Sequence, residues 1–374
     1  MTPPEPTPPE RTPSESQTPP QPTTRMLAEI EQQPAALRAT LDALLPRVPE
    51  VAALAESTRQ VLFIARGTSD NAAVYGSYLA QVRAGRLATL ASPSVATTYR
   101  ARLDLSGVLA VALSQSGRTE EIVETMAWAA DCGARTLAIT NGADSPLAAQ
   151  ADLALVTRAG VEQAVPATKT FTTQLAAIAV LGLGLDADEE GVGHGQTPVD
   201  QEELRRVPDE IERLLATPGD FTPLIEGLAA VEGAVVSGRG YAYSAALELA
   251  LKLKEACYLH AMGLSFADLL HGPIAVVDER TPAVIMAANS GPTVEGAVAL
   301  AQRVTQSGAP AYAIGGGSAL AAECAYALPG PRLPEWLAPI GLIIAGQLLT
   351  EALARRLDLD PDHPRGLSKV TQTS

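Results

Sequence analysis

The chain has 374 residues, 47% of them hydrophobic, and its 27 Lys and Arg against 42 Asp and Glu give a formal charge of −15. That length suits about two domains with sizeable cores. The negative balance, with no Lys/Arg run, argues against nucleic acid and anionic membrane surfaces as partners. No apolar leader or bilayer-length run is read. The three cysteines, Cys132, Cys257 and Cys324, are widely spaced, so neither a disulfide framework nor a metal site is expected and a cytoplasmic location is.

Residues 1–25 hold nine prolines and almost no apolar side chains, which predicts a disordered arm. Arg25 to Leu44 reads as a helical segment that opens a first domain over 26–197. Within it, VLFIARGTSDNAA (Val61 to Ala73) and VALSQSGRT (Val111 to Thr119) each run from short aliphatic stretches into a Gly/Ser turn, and longer Ala-rich helical segments follow. Gln201 to Ala216 reads as a helix inside a connector, 198–220, with sparse apolar positions. A second domain is expected over 221–356 and a tail over 357–374.

The second domain repeats the first. Arg66-Gly67 falls on Arg239-Gly240, 173 positions later, and Ser116-Gly117-x-Thr119 falls on Ser290-Gly291-x-Thr293, 174 later. Runs that are apolar on both faces and alternate with helices indicate parallel strands covered on both sides. The predicted fold is therefore α/β: two doubly wound parallel sheets, each in an α/β/α sandwich.

In such sheets ligands sit beyond the carboxyl ends of the strands, where turns running into helices present amides and hydroxyls. Ser114, Gln115, Ser116 and Thr119 occupy one such turn, and Gly67, Thr68 and Ser69 the other; together they suit an anion. In the second copy Ser114 becomes Ala288 and Gln115 becomes Asn289, so one anion site per chain is expected.

The helical run Ser244 to Ala261 is apolar nearly all round, yet it carries Glu248, Lys252 and Glu255. At 100° per residue these three share an arc of about 60°. Charges on a buried helix are costly unless paired, and carboxyls left incompletely compensated titrate abnormally, as groups at catalytic sites do. Glu255 is thus a candidate general base. Among the histidines, His271, at an abrupt turn before an expected strand, is the best acid/base candidate; His260, inside the helical run, reads as packed core, and His194 and His363 as loop and tail.

RGTSDNA, ALSQSGRTEE, ATKTFTTQ (Ala167 to Gln174), GRGYAYSAALELALKLKEACYLHA, HGP and DPDHPRGLSKVT (Asp360 to Thr371) resemble, in order and spacing, the paired sugar isomerase (SIS) domains of glutamine–fructose-6-phosphate amidotransferase; the ending PRGLSKVT is also similar to stand-alone SIS-type glucosamine-6-phosphate deaminases. The resemblance implies two tandem SIS domains acting on a sugar 6-phosphate without a cofactor. Ser114, Gln115, Ser116 and Thr119 would hold the phosphate, with Thr68 and Ser69 near the sugar hydroxyls and Val165 and Ala167 in the stretch that meets the sugar. Glu248 and Lys252 would line the pocket. Glu255 would move a proton between C1 and C2, His271 would assist ring opening from the neighbouring subunit of a homodimer, and Lys369 would form a Schiff base with the open-chain ketose.

Two departures from the family pattern bear on function. Ala167 stands where the family often has serine, which removes a hydroxyl contact. The chain opens with the proline-rich arm and its first cysteine is Cys132, which implies no glutamine cleavage. The expected reaction is therefore glucosamine 6-phosphate plus water to fructose 6-phosphate plus ammonia. The alternatives are isomerising glucosamine-6-phosphate formation, a galactosamine-6-phosphate deaminase, a sugar-amine deglycase, and a sugar-phosphate sensor that does no chemistry.

Overall fold

The computed structural model describes residues 23–186 and 197–369. The expected disordered arm lies outside the described residues as far as residue 22, as do His194 and the last five positions. The arm's end is helical rather than loose. Thr24 caps the helix Arg25–Glu31, its hydroxyl oxygen accepting from Leu27 N at 3.1 Å. A second helix, Gln33–Leu44, follows at a break imposed by Pro34, so the single segment expected there is two.

Two five-stranded parallel sheets form the centres of the two halves. The first contains β1 (Gln60–Ile64), β2 (Leu87–Leu90), β3 (Val108–Leu113), β4 (Arg135–Thr140) and β5 (Leu153–Val156), in the order β2-β1-β3-β4-β5. The second contains β6 (Gly233–Gly238), β7 (His260–Ser265), β8 (Ala283–Ala287), β9 (Ala311–Gly315) and β10 (Tyr326–Leu328), and read from β7 its order is the same. The sequence repeat is therefore a topological repeat. Every residue of β3, β8 and β9 is buried, because helices cover both faces of each sheet.

The helices that follow the first strand of each half, Thr68–Val82 and Ala242–Cys257, pack against each other and join the halves. Gly76 permits the first of these to lie close on β1: a Cβ there would sit 2.6 Å from the Phe63 ring. Two further helices flank the pair, Lys169–Leu185, buried along its whole length, and Ala338–Arg356. One apolar cluster runs through both halves, including Leu79, Phe171, Leu249, Leu253 and Ile343. None of the described helices is long and apolar enough to cross a membrane.

Four local expectations are corrected. The charged helix stops at Cys257, not Ala261, because Tyr258 takes a left-handed conformation (φ 55°) and ends it. His260 therefore opens β7, beside Gly233 of β6, and is exposed rather than packed in a core. His271 precedes a 3-10 turn, Pro273–Val276, with β8 starting only at Ala283. The connector consists of two helices, Thr197–Arg205 and Val207–Ala216; the second is anchored by Val207, Ile211 and Leu214.

Candidate active site

From β1 the chain crosses to β2 on one side of the sheet, whereas from β3 it crosses to β4 on the other. The turns leaving the carboxyl ends of these neighbouring strands diverge and leave a crevice between them. A cavity of about 420 Å³ opens there, within the size range of small-ligand clefts. Gly67, Thr68 and Ser69 line it from the turn after β1, and Ser114, Gln115, Ser116 and Thr119 from the turn after β3.

The second turn is held in shape from inside. Ser114 Oγ accepts from Gly117 N at 3.2 Å and lies 3.3 Å from Thr119 Oγ1, while Ser116 Oγ accepts from Arg118 N at 3.2 Å. Thr119 then starts the helix Glu120–Asp131, whose amino end faces the same crevice. Gly117 has φ +62°, and a Cβ there would lie 2.2 Å from Ser145 Oγ and 2.8 Å from Thr140 Oγ1. Gly117→Ala is accordingly expected to weaken inorganic phosphate binding by about tenfold or more, ~1.4 kcal/mol, in a calorimetric titration. Unchanged affinity would show that the turn does not hold the anion.

The first turn's hydroxyls are already engaged. Thr68 Oγ1 donates to Glu248 Oε1 at 3.0 Å, and Ser69 Oγ is paired with the Gln174 amide at 3.0 Å. Glu248 also accepts from Asn71 Nδ2 at 2.8 Å and has no exposed surface. It stands behind the cavity and is absent from its lining, whereas the resemblance has it line the pocket.

Lys252 does line the cavity, with its ammonium 3.5 Å from Glu248 Oε1 and hydrogen-bonded to Glu255 Oε2. Burial raises the Glu248 carboxyl above its ordinary 4.5, and this outweighs the opposing pull of Lys252, Asn71 and Thr68. Burial also works against the Lys252 charge, yet its two carboxylate neighbours prevail and its pKa is raised. Glu255 is the accessible member of the three: 23% of its side chain is exposed, and it lines the cavity. The charged seam is therefore a buried interdomain cluster rather than a surface ion pair, and the second half delivers it into the first half's crevice.

A third wall comes from Val165, Ala167 and the tail. Asp362 fixes the tail, accepting from Arg25 N at 2.9 Å and Met26 N at 2.8 Å, while Val165 N donates to Asp362 O at 3.0 Å. Arg365 stacks 4.1 Å over the Tyr258 ring. Lys369 follows and reaches the cavity, its Nζ donating to Glu162 Oε2 at 2.6 Å and Ala164 O at 2.8 Å.

Of the predicted residues, the structure gathers Gly67, Thr68, Ser69, Ser114, Gln115, Ser116, Thr119, Val165, Ala167, Lys252, Glu255 and Lys369 around one cavity. His271 is not among the lining residues; it is exposed, just after the short helix Phe266–Leu270. Sequence reasoning passed over Arg66, Ile122, Glu162, Thr170, Leu367 and Ser368, which also line it. Arg66 was visible in the repeated Arg-Gly pair, and it forms a double hydrogen bond with Glu121 at 3.0 Å. The equivalent crevice of the second half is used differently. There Glu335 accepts from Thr293 Oγ1 at 2.9 Å and lies where a Cβ on Gly291 would be, 2.7 Å away. Asn289, the counterpart of Gln115, donates to Pro331 O and accepts from Gly317 N. A carboxylate over the turn and donors spent on the main chain disfavour a second anion.

Comparison with known proteins agrees with this architecture. The SIS domain model matches residues 54–183 and 228–354. A glutamine–fructose-6-phosphate aminotransferase (isomerizing) from Thermococcus kodakarensis is 33% identical over 344 residues, which is 92% of this chain and 57% of that protein. The namesake from Gloeobacter violaceus is 35% identical over 354 residues, 92% of this chain and 58% of the relative. The chain thus spans less than three fifths of these relatives' length. Among solved structures, the C-terminal domain of glucosamine-fructose-6-phosphate aminotransferase from Francisella tularensis superposes with a TM-score of 0.83 at 28% identity, covering 92% of this chain and 99% of that one. Glucosamine-6-phosphate deaminase from Thermotoga maritima shares the fold, with a TM-score of 0.74 at 23% identity over 94% of this chain and all of its own. With two matching domains, two sheets of one strand order and relatives that match it across most of its length, the chain belongs to the SIS domain family.

Proposed function

We propose that the chain is an aminosugar-phosphate isomerase and deaminase that converts glucosamine 6-phosphate and water into fructose 6-phosphate and ammonia. One observation carries this reading. A hydroxyl-rich turn at a helix start, an accessible carboxylate and a tail lysine meet in one cavity of about 420 Å³, although they come from the first domain, the second domain and the last residues described.

The phosphate binds at Ser114, Gln115, Ser116 and Thr119, which anchors the unreactive end so that binding energy places C1 and C2 beside Glu255. His271 opens the ring by moving a proton between the ring oxygen and O1. Glu255 then takes the proton from C2 and returns it to C1, as base and then acid. This leaves an imine at C2, and water adds to it and expels ammonia. Lys369, which lines the same cavity, forms a Schiff base with the open-chain ketose once it leaves Glu162.

His271 is exposed, as is the apolar side chain of its neighbour in the chain, Leu270 (45%). An exposed leucine beside it suits burial against a second copy, and a homodimer would bring the partner subunit's histidine to the cavity.

The names of the relatives favour a second reading, in which the same proton shuttle runs towards glucosamine 6-phosphate. Ala167 leaves the sugar contact short of a hydroxyl and so leaves room for other aminosugar phosphates.

The test is a panel of aminosugar 6-phosphates, the galacto epimer and a sugar phosphate conjugated to an amino acid included, incubated with pure protein and assayed for ammonia and ketose phosphate. Release from glucosamine 6-phosphate is the expected result. Turnover only with fructose 6-phosphate and an ammonia source would favour the second reading. A rise in Tm with the ligand and no turnover would reject catalysis and favour a sensor.

A further inference from the structure

Glu162 lines the cavity, is fully buried, and has five donors on one carboxylate: Thr168 N at 2.9 Å, Thr168 Oγ1 at 3.2 Å, Thr170 N at 3.1 Å, Thr170 Oγ1 at 2.6 Å and Lys369 Nζ at 2.6 Å. Four of the five come from the start of the buried helix Lys169–Leu185, where a carboxylate is favoured by unpaired amides and by the helix dipole. Capping this helix needs only an acceptor; it does not need a lysine from 207 positions away. Nor does the tail need Glu162 to stay near, since Asp362 and Arg365 already tie it down. What the fifth contact determines is the position of one ammonium group at the cavity wall.

We infer that Glu162 is a positioning residue for Lys369: it parks the lysine at the wall of the cavity that Lys252 and Glu255 also line, and hands it to the substrate. The inference rests on the proposed function in taking Lys369 as the group that meets the open-chain sugar. Burial works against the Glu162 charge, but Lys369 and the threonine donors more than compensate and hold its carboxyl below the ordinary 4.5, so Glu162 meets the lysine as a carboxylate. The contact is also exchangeable. The Lys369 side chain is 25% exposed and faces the ligand space, so a carbonyl arriving there competes with one carboxylate oxygen and the Ala164 carbonyl alone.

The experiment has two readouts. In the first, Glu162→Gln, Lys369→Met and the double variant are compared in steady-state ammonia release. Glu162→Gln is expected to lower kcat about tenfold while KM stays within about threefold, because the five donors to Glu162 include none from the phosphate turn. The double variant should be no slower than Lys369→Met alone; single losses that multiply in the double variant would overturn the inference.

In the second, the proteins are pulse-labelled with an acetylating reagent and Lys369 is read by mass spectrometry. Acetylation of Lys369 is expected to be several-fold faster in Glu162→Gln than in the unaltered protein. Equal rates overturn the inference whether or not the protein turns over any sugar. Faster labelling without ammonia release from either protein would sink the proposed function and leave Glu162 as the lysine's partner. Should Glu162→Gln fail to fold, Glu162→Asp keeps the charge at the helix start but withdraws it by one methylene, and a labelling rate equal to the unaltered protein's would then be the overturning result.

Discussion

Glu255→Gln is expected to lower kcat for ammonia release by about 10²- to 10⁴-fold, the range that a positioned general base contributes. KM should change little, because the residues proposed to hold the phosphate lie on the turn after β3 and Glu255 lies on the helix Ala242–Cys257. The substitution keeps the side chain's size and leaves Lys252 paired with Glu248, so the buried cluster goes from one negative charge in excess to neutral, and the fold should survive. Exchange of the C2 hydrogen with D₂O, read by NMR, isolates the step and should disappear with turnover. A variant within about tenfold of the unaltered rate would remove Glu255 from the chemistry. Mixing the Glu255→Gln and His271→Ala subunits should restore activity in heterodimers, one of whose two sites then has both groups. Failure to restore it would remove the histidine from the partner's site.

Lys252→Met is expected to have the largest effect on stability. The side chains of Lys252 and Glu248 are 1% and 0% exposed, and removing the ammonium strands two carboxylates on one face of a buried helix. Breaking a buried pair in this way costs about 3–5 kcal/mol, which equilibrium denaturation measures directly. The sign of the pH dependence follows from Glu248. Its folded-state pKa is already above 4.5, chiefly through burial, and losing Lys252 pushes it higher still. The folded state then binds more protons than the unfolded state does, so stability is fully present below 4.5 and is lost as pH rises through the folded-state value. The variant's deficit should therefore be largest near pH 8 and smaller near pH 5. Adding Glu248→Gln should return part of the loss, since it removes one stranded charge. A single variant as stable as the parent, or one whose deficit does not vary with pH, would show that the cluster is solvated.

Much of the site was legible because its signals are local. The turn Ser114 to Thr119 follows an all-apolar run and precedes a helix, and Glu248, Lys252 and Glu255 share an arc on a helix with little other polarity. Such patterns depend on strand and helix periods that operate within a few residues. Glu162 gave no comparable signal. It is one acid in a loop, and its meaning lies in donors six to eight residues ahead and in a lysine 207 positions away.

The sequence alone determined that one α/β unit occurs twice, that the first copy carries the turn richer in hydroxyls, and that a charged seam is buried in the second; each follows from side-chain chemistry at short spacing. Only the tertiary structure decided which charges reach the cavity. Packing of Thr68–Val82 on Ala242–Cys257 seals Glu248 behind Thr68 and turns Glu255 outwards, and the fixed tail carries Lys369 to Glu162. It also ended the charged helix at Tyr258 and left His271 outside the cavity, since pairing β7 with β6 takes His260 into the sheet. These outcomes depend on contacts between segments remote in the chain, whose closure is governed by the burial of whole helix faces and not by any local repeat.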